Sequence, residues 1–160
     1  MMFIEVFAPK GALGHEQRRH LGERLSAELT YEESAPAAVI AAGRALVQVV
    51  FHEPGTWITG DGAPDPGVPP RYLVRVSLPR AWREEAAAEL ISRVTRVLAD
   101  SDAQRVNAEP VVWVQVIGVP EGGYGRSGRV MRSTDIIMMI VNGTGRRRAF
   151  AEEPQKEMAQ

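Results

Sequence analysis

Val47-Gln48-Val49-Val50-Phe51-His52-Glu53-Pro54, continuing into Gly55-Thr56-Trp57, has a counterpart later in the chain. It is Trp113-Val114-Gln115-Val116-Ile117-Gly118-Val119-Pro120, continuing into Glu121-Gly122-Gly123-Tyr124. Both stretches run apolar and valine-rich into a proline, a glycine and an aromatic residue, the pattern of a buried strand stopped by turn residues. Working outward, the same order of elements precedes each copy. Phe3-Ile4-Glu5-Val6-Phe7 reads as a strand halted at Ala8-Pro9-Lys10-Gly11. A helix is predicted over about His15 to Leu29, because Leu21, Leu25 and Leu29 recur every fourth position among charged residues. An Ala-rich stretch, Pro36 to Arg44, forms either a second helical turn or a connection before a strand over Ala45 to Phe51. In the second half a strand is predicted over Tyr72 to Ser77, a break at Leu78-Pro79-Arg80, and a helix over about Arg83 to Leu98 with Leu90, Val94 and Leu98 on one face. A strand over Val111 to Val119 closes it.

Two copies of one strand-helix-strand unit argue for a single shared sheet. The fold class is therefore α/β (α+β): two consecutive β-α-β repeats, about 1–62 and 70–141, forming one mixed four-stranded sheet with two helices on one face. Gly60 to Pro70, rich in proline and glycine, can be neither helix nor central strand and is the predicted linker. The repeats form one domain over 1–145, and 146–160 is a polar C-terminal tail. Within each repeat the two strands run parallel, since a crossover helix joins them. The sheet face without helices is left apolar and bare, so association of several copies through it is expected.

A chain of 160 residues can bury one real core, and 44% hydrophobic with 24% charged residues is ordinary globular composition. The formal net charge of -1 gives no global reason to expect nucleic acid or a membrane surface as partner. Cysteine is absent, which excludes disulfides, thiolate catalysis and cysteine-ligated metals, and cytoplasm is the default compartment. Met1 to Lys10 has no apolar run of the length a signal peptide or membrane span needs. His15 and His20 fall on the polar side of the first helix without carboxylates at metal-ligand spacing, so no metal and no cofactor are expected.

These residues resemble a known family. Ile4-Glu5-Val6, the Gly11 break and Glu16-Gln17-Arg18-Arg19 opening a helix resemble the start of tautomerase superfamily proteins of the oxalocrotonate tautomerase type. Phe51-His52-Glu53-Pro54, with Trp57 and Gly60, resembles their hairpin after the second strand. Val76-Ser77-Leu78-Pro79-Arg80, and Tyr124-Gly125-Arg126-Ser127-Gly128-Arg129 followed by Thr134-Asp135, are similar to malonate semialdehyde decarboxylase and the cis-3-chloroacrylic acid dehalogenase group. The resemblance covers roughly residues 1 to 140. It implies a tautomerase/MIF-like fold assembled as a homotrimer. It also implies an N-terminal proline that moves protons on a small carboxylate substrate or ligand, held by arginines whose planar fork suits a carboxylate.

The chain departs from that pattern at its first strand. Met2 stands where the resemblance places the proline, and methionine is too bulky a second residue for ordinary removal of Met1. The working base is then the primary amine of Met1, a group whose reference pKa near 7.7 to 8.0 suits proton transfer. Pro9 has no free amine and cannot replace it. The arginine pair that the resemblance implies at the end of the third strand is incompletely matched: Arg75 and Arg80 are nearby, but with Pro79 as anchor the expected positions hold Val76 and Leu78.

The candidate catalytic residues are thus Met1, Met2, Arg75, Tyr124 and Arg126; the candidate substrate-binding residues are His52, Glu53, Trp57 and Arg80. His52 and Glu53 read either as a solvated pair at a hairpin exit or as polar groups facing a pocket. Arg75 lies within an apolar strand, so it must snorkel, meet a carboxylate or bind an anion. Gly122 to Arg129 lacks the Gly-Lys-Ser/Thr ending of a phosphate loop and reads as a hairpin that brings Tyr124 and Arg126 near a pocket. Ile136 to Val141 is predicted to be a last strand added to a neighbouring subunit's sheet, and Arg146-Arg147-Arg148 to cap the structured region or pair with acidic residues across an interface. The expected activity is keto-enol tautomerisation of a small 2-oxo or enol carboxylate, weak or lost without the proline. The alternative is a catalytically inactive relative that binds a small acid or serves assembly.

Overall fold

A computed structural model describes residues 1–60, 62, 71–102 and 110–152, the segment 145–152 by its backbone alone. Most of the predicted linker over 60–70 lies outside the described residues. Four strands form the main sheet: β1 (Met2–Phe7), β2 (Val47–His52), β3 (Arg71–Pro79) and β4 (Val111–Val119), in the order β2-β1-β3-β4. β1 is parallel to β2, β3 is parallel to β4, and the two units meet where β1 runs antiparallel to β3. The sheet is mixed because each unit supplies one parallel pair.

Two helices cover one face, α1 (His15–Leu29) between β1 and β2, and α3 (Arg80–Asp102) between β3 and β4. Their stripes, Leu21, Leu25 and Leu29 on α1 and Leu90, Val94, Val97 and Leu98 on α3, pack on Ile4, Val6, Val74 and Val76 of the central strands. Alternation along β1 and β3 puts every second residue into this core, as a period of two requires. The helix α3 begins three residues before the predicted start. Arg80 therefore belongs to its first turn.

Residues of the opposite parity form the open face. Ladder register sets Val50, Glu5, Arg75 and Gln115 in one row and His52, Phe7, Leu73 and Trp113 in the next. Trp113 is 70% exposed, Val111 and Ile117 are exposed beside it on β4, and Val50 is exposed on the opposite edge strand β2.

Two helices lie outside the repeat, α2 (Ala37–Arg44) in the first unit and α4 (Ser133–Glu152) after a hairpin of β5 (Tyr124–Arg126) and β6 (Arg129–Met131). Ser127 and Gly128 turn that hairpin with positive φ at both central positions, a conformation that twists with the strands it joins. Helix α4 corrects the predicted strand over Ile136 to Val141. The Asp135 carboxylate accepts a hydrogen bond from Arg132 N at 2.8 Å, and the Glu121 carboxylate accepts from Ser133 N at 3.2 Å and from the Ser133 hydroxyl. These bonds satisfy donors that a helix start leaves open. With the start capped, Ile136, Ile140 and Gly143 fall on one inward side, while Ile137, Met138 and Val141 stay exposed. The apolar run thus follows a helical period. The backbone of α4 continues through Arg146-Arg147-Arg148, past the point where the tail was expected to begin.

Candidate functional site

Parallel pairing brings the starts of β1 and β2 to one edge, with Met2 opposite Val47. Because β3 runs the other way, with Ser77 opposite Phe3, its end and the first turn of α3 come to the same edge. A cavity of about 300 Å³ lies there. Met1 and Met2 line it together with Leu29 from α1, Val39 and Ile40 from α2, Trp82 from α3 and Ile140 from α4. Gly143 allows α4 to close on α2, since a Cβ at that position would sit 3.3 Å from the Ala42 Cβ.

The backbone N–H of Met2 donates to Leu46 O at 3.4 Å, which ties the start of β1 to the edge and leaves the Met1 amine beyond the ladder. Burial lowers that amine from 8.0 to about 6, because an apolar surrounding disfavours the charged form. At neutral pH it is mainly an uncharged primary amine, able to accept a proton. Among the described lining residues the sole charged side chain is the exposed Glu32. Among the described residues no basic side chain lines the cavity.

The predicted polar residues gather elsewhere. On the open face His52 Nε2 lies 3.2 Å from Glu5 Oε1, and the His52 ring stacks on Phe7 with centroids 4.4 Å apart. Arg75 sits over the other side of this cluster, 5.1 Å from the Phe7 centroid, and its Nε donates to Gln115 Oε1 at 3.1 Å. Its charge is accommodated by an aromatic face and an amide rather than by the Glu5 carboxylate opposite it in the ladder. Glu53 is a structural tie: it accepts from Gly11 N at 3.1 Å and pairs with Arg18 at 3.2 Å. Trp57 is half-buried in the segment after β2, and Arg80 is exposed at the start of α3.

Tyr124 is buried against Phe3, with ring centroids 5.7 Å apart. Its hydroxyl has no hydrogen-bond partner among the described residues, and burial pushes the phenol up to about 12. Arg126 is exposed, its Nη1 3.6 Å from Met139 Sδ. A larger recess of about 520 Å³ between α1 and α3 is lined by polar and apolar groups alike, and its Arg93 is occupied in clamping the helices. Arg93 Nη1 donates to Glu28 O, in the last turn of α1, at 2.6 Å and to Tyr31 O, just past its end, at 2.7 Å.

No protein-family model matches the chain, and no curated protein matches it. Solved structures do. Pt0534 inactivated by 2-oxo-3-pentynoate superposes with a TM-score of 0.61 at 21% identity, over 80% of this chain and 94% of that one. A fused 4-OT solved as an asymmetric trimer gives 0.61 at 16% identity, over 80% and 94%. N1, a member of the cis-3-chloroacrylic acid dehalogenase family, gives 0.56 at 18% identity, over 96% and 93%. The chain has the tautomerase-superfamily fold.

Within this tautomerase fold Met1 and Met2 share the cavity, whereas Arg75, Arg126, Tyr124, His52, Glu53, Trp57 and Arg80 do not line it. His52 and Arg75 are brought together through Phe7 on the open face, and Tyr124 reaches that side through Phe3. Sequence reasoning missed Trp82, Val39, Ile40 and Ile140. Trp82 fell between a predicted break and a predicted helix, and Ile140 inside a predicted strand. The Ser133-Thr134-Asp135 start signal was the sequence feature that would have turned Ile140 toward the cavity.

Proposed function

We propose that this protein is a tautomerase-superfamily member that transfers a proton on a small 2-oxo or enol carboxylate, with the Met1 amine as the base. The supporting observation is that Met1 lines an apolar cavity and that partial burial of its amine disfavours the charged form. In the step, the neutral amine accepts the enol hydroxyl proton as the carbonyl forms, and the α-carbon takes a proton from the resulting ammonium. The apolar part of the substrate occupies the cavity. The carboxylate falls to Arg75 or Arg126 of a neighbouring copy, since the described lining holds no cation.

The assembly is a homotrimer closed over the open face. Exposed Trp113, Val111 and Ile117 on β4 form an apolar surface of the kind monomers rarely leave in water, and a fused 4-OT of the same fold is a trimer. Pt0534, inactivated by a 2-oxo alkynoate, supports the substrate class. A cytoplasmic compartment is part of this proposal, supported by the lack of cysteine; no described helix is long and apolar enough to cross a membrane.

Phenylpyruvate ketonisation followed by absorbance tests the activity, after intact mass has established Met1 as the terminal residue. A rate equal to buffer sinks the enzymatic reading. Met2→Pro, which allows Met1 to be removed, is expected to raise the rate by about tenfold or more if the cavity is a silenced tautomerase site. The second reading is a relative that has lost catalysis and binds a small acid or serves assembly, and Met2 in place of the proline that the resemblance expects favours it. Saturable binding by calorimetry with no ketonisation selects it.

A further inference from the structure

We infer that the cavity selects its ligand by apolar bulk, and that this ligand carries an unbranched alkyl tail of about eight to ten carbons. In calling that ligand the substrate, the inference rests on the proposed function; the demand for a tail follows from the cavity alone. Volume is the first observation. A protein cavity of about 150 Å³ takes up one benzene ring, so the 300 Å³ here hold roughly twice that bulk. The smallest 2-oxo acids would leave most of it empty, and protein interiors are close-packed.

The wall is the second observation. Apart from the Trp82 indole, the polar side chains of the described lining already have partners. The Thr30 hydroxyl donates to Ser26 O at 2.6 Å, and the Glu32 carboxylate accepts from the Ser34 hydroxyl at 3.1 Å. Water therefore finds too few partners to be held there, and the part of a ligand that enters makes van der Waals contact rather than hydrogen bonds. Met1 and Met2 supply unbranched side chains that repack around a flexible tail. Ile40 comes from α2 and Ile140 from α4, so the selection is made by the helices that the two repeats do not share.

The test titrates the full chain with straight-chain 2-oxo acids from 2-oxobutanoate to 2-oxotetradecanoate, and with primary alcohols from 1-hexanol to 1-dodecanol, by calorimetry and tryptophan fluorescence. Affinity is expected to rise about fourfold per methylene in both series and to level off at tails of about eight to ten carbons. Ile140→Trp, which fills the cavity, is expected to bring the levelling-off to shorter tails, and Ile140→Ala to move it to longer ones. The fluorescence change is expected to vanish in Trp82→Phe and to persist in Trp113→Phe, which separates the cavity from the open sheet face. Affinity indifferent to tail length, a levelling-off outside the expected range, one that neither change at Ile140 moves, or a signal that follows Trp113 overturns the inference. Tail-dependent binding without ketonisation of any acid tested upholds the selection and sinks the proton-transfer reading. Ketonisation of phenylpyruvate with affinity indifferent to tail length does the reverse.

Discussion

The first unit, Met2–His52, has six-residue strands and carries α2 between its helix and its second strand, whereas the second, Arg71–Val119, has nine-residue strands and one 23-residue helix. What the units share builds the sheet and its core: a strand of alternating burial, a helix with a leucine and valine stripe, and a parallel closing strand. What they do not share builds the cavity. Helix α2, present in one unit, and α4, outside both, pack together over the start of β1 and enclose Met1. Pseudosymmetry therefore yields a scaffold with two similar halves, and its breaking yields one candidate site rather than two.

The comparison is broken most sharply in the shared core. Leu25→Ala in the first unit and Leu98→Ala in the second each remove a side chain at most 1% exposed, and each is expected to cost about 3 kcal/mol. Urea unfolding should show the two losses in one transition; separate transitions would mean that the units do not share a core. Next, Gly143→Val puts new carbons against Ala42 and is expected to cost about 2 kcal/mol by overpacking. It should also open the α2–α4 contact, so loss of stability with an unchanged Met1 environment would separate the cavity from these helices.

A smaller effect comes from the amine itself. Its folded pKa of about 6 lies below the ordinary 8.0, so between these values the unfolded chain binds the additional proton. Stability should rise as pH rises from about 6 to 8, by on the order of 1 kcal/mol once solvent screening is allowed for. Acetylating the amine should remove that slope, as read from unfolding midpoints across the range. The smallest expected effect is at Tyr124. Tyr124→Phe deletes a buried hydroxyl without a partner among the described residues and should stabilise the isolated chain by up to about 1 kcal/mol. A loss instead would show that a neighbouring copy supplies the partner.

Much of the scaffold was legible because its signals are local. The helix over His15–Leu29 and the strand over Val111–Val119 coincide with their predicted spans, since a fourfold leucine spacing and a valine run between turn residues each leave few conformations open. Ile136 to Val141 misled for the same reason in reverse. A six-residue apolar run satisfies both periods, and the decision lay in bonds from Asp135 and from Glu121, the latter twelve residues upstream of Ser133. Arg75 was expected to snorkel, meet a carboxylate or bind an anion; its neighbours are Phe7 and Gln115, which come from two other strands.

The four sheet strands, the two helices that cover them, their inward faces and the presence of methionine where the resemblance expects proline were legible in the sequence alone, because each depends on neighbours a few residues apart. Which residues enclose Met1 was decided by the tertiary structure. Leu29, Val39, Trp82 and Ile140 meet at one sheet edge only after antiparallel pairing of β1 with β3 and packing of α2 on α4. A cavity is bounded by surfaces of elements distant along the chain, and the amine's lowered pKa follows from that enclosure rather than from any motif.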